Sequence, residues 1–429
     1  MKQKLLKTLY VFLAFCARIY LWRTKPFVIG ITGSVGKTCC RDIVTQVLQH
    51  IQTEKKIYTS PKNYNSELGL IFSIFCIEEY KPNIKNLLKI TWSIFKMSIF
   101  WKKKYDILVA EYGIDSSWDM DFLLSIMKPD IAILTKLDSV HSDNFKRGIT
   151  ELWEDKCKLL LAGKNKLYFN AQDIFPQNHI DLLSKPYERM FEKAIKAVLQ
   201  KSQNWLSQEF TWKKNNISIN LLGEENIEYT ILWLKIAQDI WIRTLAKSYN
   251  FTYTLQAWRF NIFERNNNIF IDSSYNAGPA SMKKIIKNTQ LVQKELYPKH
   301  KIIYVLWDMR EIWEAKVKVH ENITNSIFDA DAIFTVWPDM YQYTIPKIKE
   351  MWYIGDLHSS LSSREIGIKL KKFLREHLED QYIILFKWSQ NTIFTEEALA
   401  PQLLVSQRKN LPRQSEDWKR KKDEFFKNL

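Results

Sequence analysis

Apolar runs alternate with amphipathic stretches along much of the chain, and this alternation predicts its secondary structure. Apolar runs at residues 27–32 (FVIGIT), 106–113, 130–138 and 166–173 predict buried strands. Helical patterns occupy residues 37–52 and the stretch DMDFLLSIM between the second and third of these strands. Continuous apolar strands separated by helices are typical of a parallel sheet that is covered on both faces.

A second alternation follows a polar, less regular region that extends to about residue 255. Its strands are predicted at residues 268–276, 301–309, 332–337 and 382–389, with helices between them. We therefore expect an α/β fold with a central phosphate-loop (P-loop) domain, whose sheet is mostly parallel, and a smaller, Rossmann-like C-terminal domain. The expected segments are an apolar helical segment at 1–25, the two domains at 26–255 and 256–405, and a basic tail at 406–429 that is solvated and mobile.

The first 25 residues form an apolar segment whose uncharged part is short. Lys7 and Arg18 leave ten uncharged residues between them, whereas a helix that spans a bilayer needs about 20. No small-residue cleavage site is present, so a signal peptide is not expected. Two interpretations stay open: a helix packed on the domain, or a helix lying on the membrane surface. The apolar and basic stretch at 84–104 adds weight to the second.

Size, cysteine use and charge narrow the class of protein. The 429 residues suffice for two or three domains, and the five cysteines show neither metal-ligand spacing nor a disulfide pattern, which suits the cytoplasm. The net charge of +16 favours anionic partners. Because no nucleic-acid-reading motif accompanies this charge, we do not expect a nucleic-acid partner.

Residues 30–38, GITGSVGKT, lie between a predicted strand and a predicted helix. Backbone N–H groups of a glycine-rich loop at a helix N-terminus point at phosphate oxygens. In such loops the lysine reaches the β- and γ-phosphates and the following threonine holds Mg²⁺. The sequence therefore predicts a nucleotide site at Gly30, Thr32, Gly33, Ser34, Gly36, Lys37 and Thr38.

The loop has the form G-x-T-G-S-x-G-K-T and resembles that of the Mur ligases, ATP-dependent amide ligases of cell-wall synthesis with folate and cyanophycin relatives. The stretch KNYNSELGL resembles the family's substrate loop, which implies substrate contacts at Asn63, Asn65 and Glu67. In VAEYG, Glu111 stands where the family binds Mg²⁺, and His141 stands where a second metal ligand is found.

A helix and a C-terminal signature extend this resemblance. EDKCKLL resembles the family's helix whose lysine is carbamylated by CO₂, which implies Lys156 as an oxygen ligand of metal, with Lys158 as the weaker candidate. Residues 256–282 resemble the signature of the D-alanyl-D-alanine-adding branch. By that match the nucleotide contacts are Arg259, Tyr275, Asn276 and Asp308, and Lys387 and Ser389 face the substrate. Two positions depart from the family: Lys136 replaces an asparagine and Ser273 an aspartate.

The resemblance implies an ATP-dependent ligase of peptidoglycan precursor synthesis, with Lys37, Glu111, His141 and Lys156 as catalytic residues. It would phosphorylate the carboxylate of a UDP-MurNAc-peptide, and the amine of D-Ala-D-Ala would attack the acyl phosphate. ATP and two Mg²⁺ ions are the implied cofactors, and we expect a cytoplasmic monomer that contacts the inner face of the membrane through 1–25 and 84–104. Because the phosphate loop begins at residue 30, we expect the family's N-terminal UDP-binding domain to be missing.

Other functions remain open alongside this one. A different Mur-type ligase could act on a lipid-linked muropeptide, on folylpolyglutamate or in a cyanophycin-like reaction. A nucleotide-binding relative without catalysis is the alternative from another class.

Glycine and tryptophan occur in unusual numbers. The chain has 11 glycines and 16 tryptophans, whereas average usage predicts about 30 glycines. Five tryptophans stand where the family motifs have glycine: Trp118, Trp258, Trp307, Trp313 and Trp388. Our hypothesis is that these positions are UGA codons, which the source organism reads as glycine. Tryptophan in several turns of positive φ would be strained.

Overall fold

A computed structural model describes the chain apart from several short stretches. The residues outside the description are 1, 52–53, 62–63, 65, 79–83, 138–143, 173–185, 191–194, 203–204, 241–245, 255–260, 275–276, 310–315, 389–393, 395, 409–410 and 412, together with the side chains of 2–7, 84–85, 202, 205 and 239–240. The described chain forms two compact units. Unit 1 comprises residues 1–197, 210–219 and 223–253, and unit 2 comprises residues 198–209, 220–222 and 254–429.

Unit 1 is built on a parallel sheet in which β1 is central. The strand order is β2-β3-β1-β4-β5-β6, and every pair is parallel. The elements are α1 (Lys2–Thr24), β1 (Phe27–Thr32), α2 (Lys37–Ile51), β2 (Ile57–Thr59), α3 (Glu67–Ile74), α4 (Ile84–Phe100), β3 (Ile107–Glu111), α5 (Asp119–Ile126), β4 (Ile131–Leu134), α6 (Ile149–Ala162), β5 (Lys166–Asn170) and β6 (Tyr187–Met190). Because β3 and β4 flank β1, the carboxyl ends of these three strands meet at one edge, where α/β proteins bind ligands.

The first helix packs on unit 1 by one face only. Leu13, Ala17 and Tyr20 are buried in the same core as the sheet residues, as the packed-helix interpretation expects. The opposite face of α1 is exposed. None of the described helices is long and apolar enough to cross a membrane.

The region before residue 255 is more regular than we expected. It contains β7 (Ala197–Ser202), β8 (Trp205–Trp212), β9 (Asn215–Ile219), α7 (Glu224–Ile240) and β10 (Ser248–Phe251), and the strands form a sheet in the order β10-β9-β8-β7. The expectation of an irregular region was wrong because these strands are half exposed. Their burial alternates, as at Tyr249 and Phe251 in β10, so they do not appear as apolar runs.

Unit 2 contains a second six-stranded sheet, in the order β11-β12-β16-β13-β14-β15, with only β11 antiparallel to its neighbour. Its elements are β11 (Asn261–Arg265), β12 (Asn268–Ser273), α8 (Pro279–Leu296), β13 (Lys301–Trp307), α9 (Lys316–Asn322), α10 (Thr324–Ile327), β14 (Ala332–Val336), a π-helical turn (Met340–Thr344), α11 (Ile345–Glu350), β15 (Asp356–Ser360), α12 (Ser363–Glu376), β16 (Tyr382–Lys387), α13 (Glu396–Leu399), a 3-10 turn (Ala400–Gln402), α14 (Val405–Arg408) and α15 (Glu416–Lys427).

Both faces of this sheet are covered, which explains the continuous apolar strands. Ile269 and Ile271 lie in one hydrophobic cluster, and Phe270 between them lies in the other. Successive residues of a strand point to opposite faces, so a strand buried on both sides needs apolar residues at every position. The predicted α/β fold class with parallel sheets is confirmed.

The basic tail is folded, contrary to the expectation of a solvated, mobile end. Lys422 in α15 is buried and its ammonium donates to Glu397 Oε1 at 2.9 Å and lies 2.8 Å from Glu396 Oε1. Phe425 also packs on Phe394, with ring centroids 5.3 Å apart. The expectation was wrong because the glutamates that pair with Lys422 lie about 25 residues earlier in the sequence, so the sequence of the tail alone does not show them.

Candidate functional site

The loop after β1 has a backbone that only glycine can follow. Gly33 has φ of +145° and Gly36 has φ of +89°. A Cβ at Gly33 would lie 2.2 Å from Thr135 Oγ1, and one at Gly36 would lie 2.3 Å from the Tyr229 hydroxyl oxygen. Both the backbone angles and the close approach therefore require glycine here.

The neighbouring strand fixes the shape of this loop. The N–H of Ser34 donates to the carbonyl oxygen of Lys136 at 2.7 Å, and Thr135 Oγ1 donates to the carbonyl oxygen of Val35 at 2.6 Å. In β1, Thr32 Oγ1 donates to the carbonyl oxygen of Tyr112 at 2.7 Å. These bonds hold the loop before α2 begins at Lys37, where backbone N–H groups point toward any anion.

Two lysine amines meet at one carbonyl of the loop. Lys37 Nζ donates to the carbonyl oxygen of Gly33 at 2.7 Å, and Lys156 Nζ donates to the same oxygen at 3.3 Å. Lys156 is only 1% exposed. The pKa of Lys156 lies well below its usual range, mainly because the amine is buried and also because the Lys37 ammonium is close. Asp115 and Asp155 oppose this shift but do not outweigh it.

Lys158, the weaker candidate for carbamylation, lies in different surroundings. Its ammonium lies 2.6 Å from both Asp121 Oδ2 and Asp155 Oδ1, and it is partly exposed. Burial lowers the pKa of Lys158, but the hydrogen bonds to these aspartates outweigh that effect and raise it. Lys158 is therefore a cation, whereas Lys156 favours the neutral amine, the form that attacks CO₂.

An oxygen pair lies beside the two lysines. Thr38 Oγ1 donates to Glu111 Oε2 at 3.2 Å, and both residues are buried. The other oxygen of Glu111 lies 3.0 Å from an Arg41 guanidinium nitrogen but makes no hydrogen bond of good geometry with any residue that the structure describes. Arg41 is also buried and pairs with Asp42.

These residues fit a Mg²⁺–nucleotide complex. Mg²⁺ prefers oxygen ligands, and Thr38 and Glu111 present oxygens within hydrogen-bonding distance of each other. Glu111 Oε1 already faces the Arg41 guanidinium, so Oε2, beside Thr38 Oγ1, is the oxygen that Glu111 would present to Mg²⁺. Arg41 was missed by the sequence analysis, although its place one helical turn after Lys37 directs it toward the same strand end.

Several predicted site residues lie outside the described part of the chain. In the substrate loop, the description includes Glu67, in the first turn of α3, and Gly69, where a Cβ would lie 2.8 Å from the Cα of Tyr64. Gly30 lies within β1, where a Cβ would lie 2.9 Å from a carbon of Pro129. The predicted residues outside the description are Asn63, Asn65, His141, Arg259, Tyr275, Asn276 and Ser389, and the tryptophans Trp258 and Trp313.

In unit 2 the predicted residues cluster at the carboxyl ends of adjacent strands. Asp308 follows β13, Lys387 ends β16 and Ser273 ends β12, and these strands are neighbours in the sheet. Lys387 Nζ donates to Ser273 Oγ at 3.4 Å. Asp272, which the sequence analysis did not select, is buried, and one of its carboxylate oxygens accepts no hydrogen bond from the described part of the chain. Burial raises the pKa of Asp272 to about 7, although Ser274 and Lys387 oppose the shift.

Asp308 belongs to a hydrogen-bonded cluster inside unit 2. Its carboxylate accepts the N–H of Met340 at 2.7 Å and that of Asp339 at 3.1 Å. His320 Nε2 accepts the N–H of Met309 at 2.9 Å, and its Nδ1 lies 2.8 Å from the carbonyl oxygen of Lys316.

Asp308, His320 and Asp339 could hold a metal by distance alone. However, both ring nitrogens of His320 are already engaged. The Lys316 ammonium also lies 2.7 Å from Asp339 and supplies the positive charge that a metal would bring. We therefore interpret this cluster as a set of hydrogen bonds that hold the loop after β13 in place.

Three described tryptophans have a left-handed backbone. The φ angles are 76° at Trp118, 85° at Trp337 and 57° at Trp352. Trp307 and Trp388 do not share this feature and are buried, with ring centroids 6.4 Å apart. The buried Nε1 of Trp307 has no hydrogen-bond partner among the described residues.

Comparisons with known proteins agree with this geometry. Residues 31–232 match the model of the Mur ligase middle domain, so the predicted resemblance to the Mur ligases is confirmed over this range. The matched range contains the whole lysine and oxygen cluster around the phosphate loop.

Named relatives point to one branch of that family. The chain is 25% identical over 323 residues to the UDP-N-acetylmuramoyl-tripeptide–D-alanyl-D-alanine ligase of Borreliella burgdorferi, a match that covers 72% of this chain and 61% of the relative. It is 24% identical over 312 residues to the Bacillus subtilis enzyme of the same name, covering 71% and 61%. The chain thus spans about three fifths of the length of each of these two relatives.

A solved structure confirms the fold. The MurF ligase from Thermotoga maritima in complex with ADP superposes with a TM-score of 0.68 at 20% identity, covering 95% of this chain and 85% of that one.

Proposed function

We propose that this protein is an ATP-dependent amide ligase that adds D-Ala-D-Ala to a UDP-MurNAc-peptide through an acyl phosphate, with release of ADP. The observation that carries the proposal is the cluster in which the Lys37 and Lys156 amines converge on the Gly33 carbonyl beside the Thr38–Glu111 oxygen pair. The names of the relatives, and the ADP complex of the Thermotoga maritima ligase, support the choice of reaction.

The residues of unit 1 have distinct parts in this reaction. The loop N–H groups and Lys37 would bind and orient the phosphates of ATP, because a helix N-terminus and an ammonium both favour anions. Thr38 and Glu111 would hold Mg²⁺, which neutralises charge on the phosphates. His141, which lies outside the described residues, is proposed as a further metal ligand.

We further propose that Lys156 carries the carbamate. A neutral, buried amine can attack CO₂; the new N–C bond forms as the nitrogen loses a proton to solvent, and the product places an anionic oxygen ligand beside the Lys37 ammonium. In ¹³C-bicarbonate the wild-type protein should give a carbamate NMR signal. Lys156→Met should lose that signal and Lys158→Met should keep it; equal signals from the two variants would rule out this assignment.

The remaining substrate contacts are proposed from the predicted residues. Asn63, Asn65 and Glu67 would bind the peptide substrate together with Lys387 and Ser389. Arg259, Tyr275, Asn276 and Asp308 would contact the nucleotide. We propose a monomer that works in the cytoplasm and contacts the inner face of the membrane through residues 1–25 and 84–104.

The deciding assay measures ADP release by the full chain. We expect release that requires both UDP-MurNAc-peptide and D-Ala-D-Ala, with a ligated product visible by mass spectrometry. Lys37→Met should abolish release, and Lys128→Met should retain it. Release that needs neither substrate, or no release at all, would refute ligation. Turnover only with a lipid-linked muropeptide, or with folate and glutamate, would assign another Mur-type reaction.

A further inference from the structure

Helix α1 is apolar on both sides, although unit 1 covers only one of them. Leu13, Ala17 and Tyr20 pack in the core. Val11, Phe12 and Phe15 are exposed, and their spacing places them on the other side of the helix. A helix that is hydrophobic all round normally has apolar surroundings on every side.

Helix α4 continues this exposed apolar face. Leu88, Ile99 and Phe100 are exposed along it, as is Trp92. The Phe95 ring joins the two helices, because its centroid lies 6.2 Å from that of Phe12 and 5.6 Å from that of Trp92. We call the exposed apolar side chains of the two helices the α1–α4 surface: Val11, Phe12, Phe15, Trp22, Leu88, Trp92, Ile99 and Phe100.

The two segments that form this surface carry charge of one sign. Residues 2–25 and 84–104 carry twelve lysines and arginines and no aspartate or glutamate, so these two segments account for 12 of the 16 net positive charges of the chain. Among them, Arg18 and Lys89 are exposed beside the apolar residues. Lys96 Nζ lies 5.1 Å from the Trp92 ring centroid, so its stem runs along the apolar surface.

We propose that the α1–α4 surface docks on an anionic lipid bilayer, with both helices lying in the interface and the basic side chains on the headgroups. Large apolar side chains surrounded by lysine and arginine are the pattern of helices that bind such a membrane from one side. The charge complementarity favours an anionic bilayer over a second copy of this chain, since two copies would bring like-charged basic segments against each other.

The proposal does not depend on ligase activity, and its test uses no nucleotide. Full-length protein is mixed with vesicles of phosphatidylcholine, alone or with one third phosphatidylglycerol, and the bound fraction is measured by sedimentation. We expect binding only to the anionic vesicles, and weaker binding at higher salt because the headgroup attraction is screened.

Two variants and a charge-matched control locate the contact. Lys89→Glu/Lys96→Glu and Phe15→Ser/Phe100→Ser should each weaken vesicle binding at least tenfold. Lys349→Glu/Lys372→Glu makes the same charge change in unit 2 and should bind as wild type. Circular dichroism checks that all three variants are folded.

Each other outcome overturns the docking proposal. Equal binding by the variants and the control would place the contact elsewhere. Equal binding to neutral and anionic vesicles would show that the lipid headgroup charge does not contribute to docking. Self-association without vesicles, lost in the phenylalanine variant, would identify a second copy as the occupant.

A separate observation concerns the tryptophans. We infer that the source organism places glycine at residues 118, 337 and 352, where the sequence has tryptophan. All three have positive φ, a conformation that glycine adopts freely and a bulky residue rarely does. The deficit of glycine in the composition, 11 where about 30 are expected, points the same way.

Peptide mass spectrometry of the protein from its source cells tests this inference directly. Peptides that cover the three positions should have the mass of glycine there, and the gene should have UGA at each. Tryptophan in these peptides, or UGG codons in the gene, would overturn it.

Discussion

Replacing Trp118 separates backbone strain from side-chain packing. Trp118 has φ of 76°, is 75% exposed and precedes α5 in unit 1. We compare Trp118→Gly with Trp118→Ala, because both remove the indole and differ mainly in backbone freedom. In the left-handed region an L-residue costs about 1–2 kcal/mol relative to glycine. The glycine variant should therefore be more stable than the alanine variant by about 1 kcal/mol or more.

Trp92 is the matched control in the same unit. It is also exposed but lies in the interior of α4. In a helix interior glycine is less favourable than alanine by about 1 kcal/mol, so Trp92→Gly should be less stable than Trp92→Ala. The sign of the glycine–alanine difference thus reverses between the two sites, and the loss of indole burial cancels within each pair.

Urea unfolding followed by circular dichroism measures these differences. With an m-value of about 2 kcal/mol/M, a difference of about 1 kcal/mol moves the midpoint by roughly 0.5 M. Equal midpoints for the two Trp118 variants, or a more stable alanine variant, would refute the strain argument. Trp352, with φ of 57° and 87% exposure, should repeat the result in unit 2.

Three further predictions concern the buried charges and the loop. Lys422→Ala should lower the free energy of unfolding by about 1.5–3 kcal/mol, because it removes the charge-assisted contacts of the buried ammonium to Glu396 and Glu397, which keep Arg413 and Arg364 as partners. Lys421→Ala, at an exposed neighbour, is the control in the same denaturant titration. Folded Asp272 binds a proton up to about pH 7, well above its unfolded range, so stability should fall by roughly 4 kcal/mol as pH rises from 4 to 7. Asp272→Asn should flatten that slope, and an unchanged slope would contradict the argument. Gly36→Ala should abolish ATP binding measured by calorimetry, since its Cβ would meet the Tyr229 hydroxyl at 2.3 Å.

The parts of the fold that the sequence predicted are those in which every strand position is buried. β1 and β13 are apolar runs because both faces of their sheets are covered. β9 and β10 could not be predicted in this way, because they are short and alternate between buried and exposed positions. The folded tail was missed because Lys422 depends on glutamates that only the tertiary structure brings to it.

The sequence also predicted only part of the candidate site. The resemblance identified Lys37, Thr38, Glu111 and Lys156, and the structure brings them together around one loop. It did not select Arg41, whose contact with Glu111 depends on how α2 faces β3. The roles of these residues in catalysis stay predictions.

The shared carbonyl of Gly33 has a consequence for stability. The ammonium groups of Lys37 and Lys156 repel each other whenever both are charged. This repulsion disappears when Lys156 loses its proton. A carbamate would turn the repulsion into attraction, and the folded chain favours the neutral form of this amine, whereas a lysine of the unfolded chain is mostly protonated. Carbon dioxide would then act as a ligand of the native state, so the thermal unfolding midpoint should rise with bicarbonate concentration.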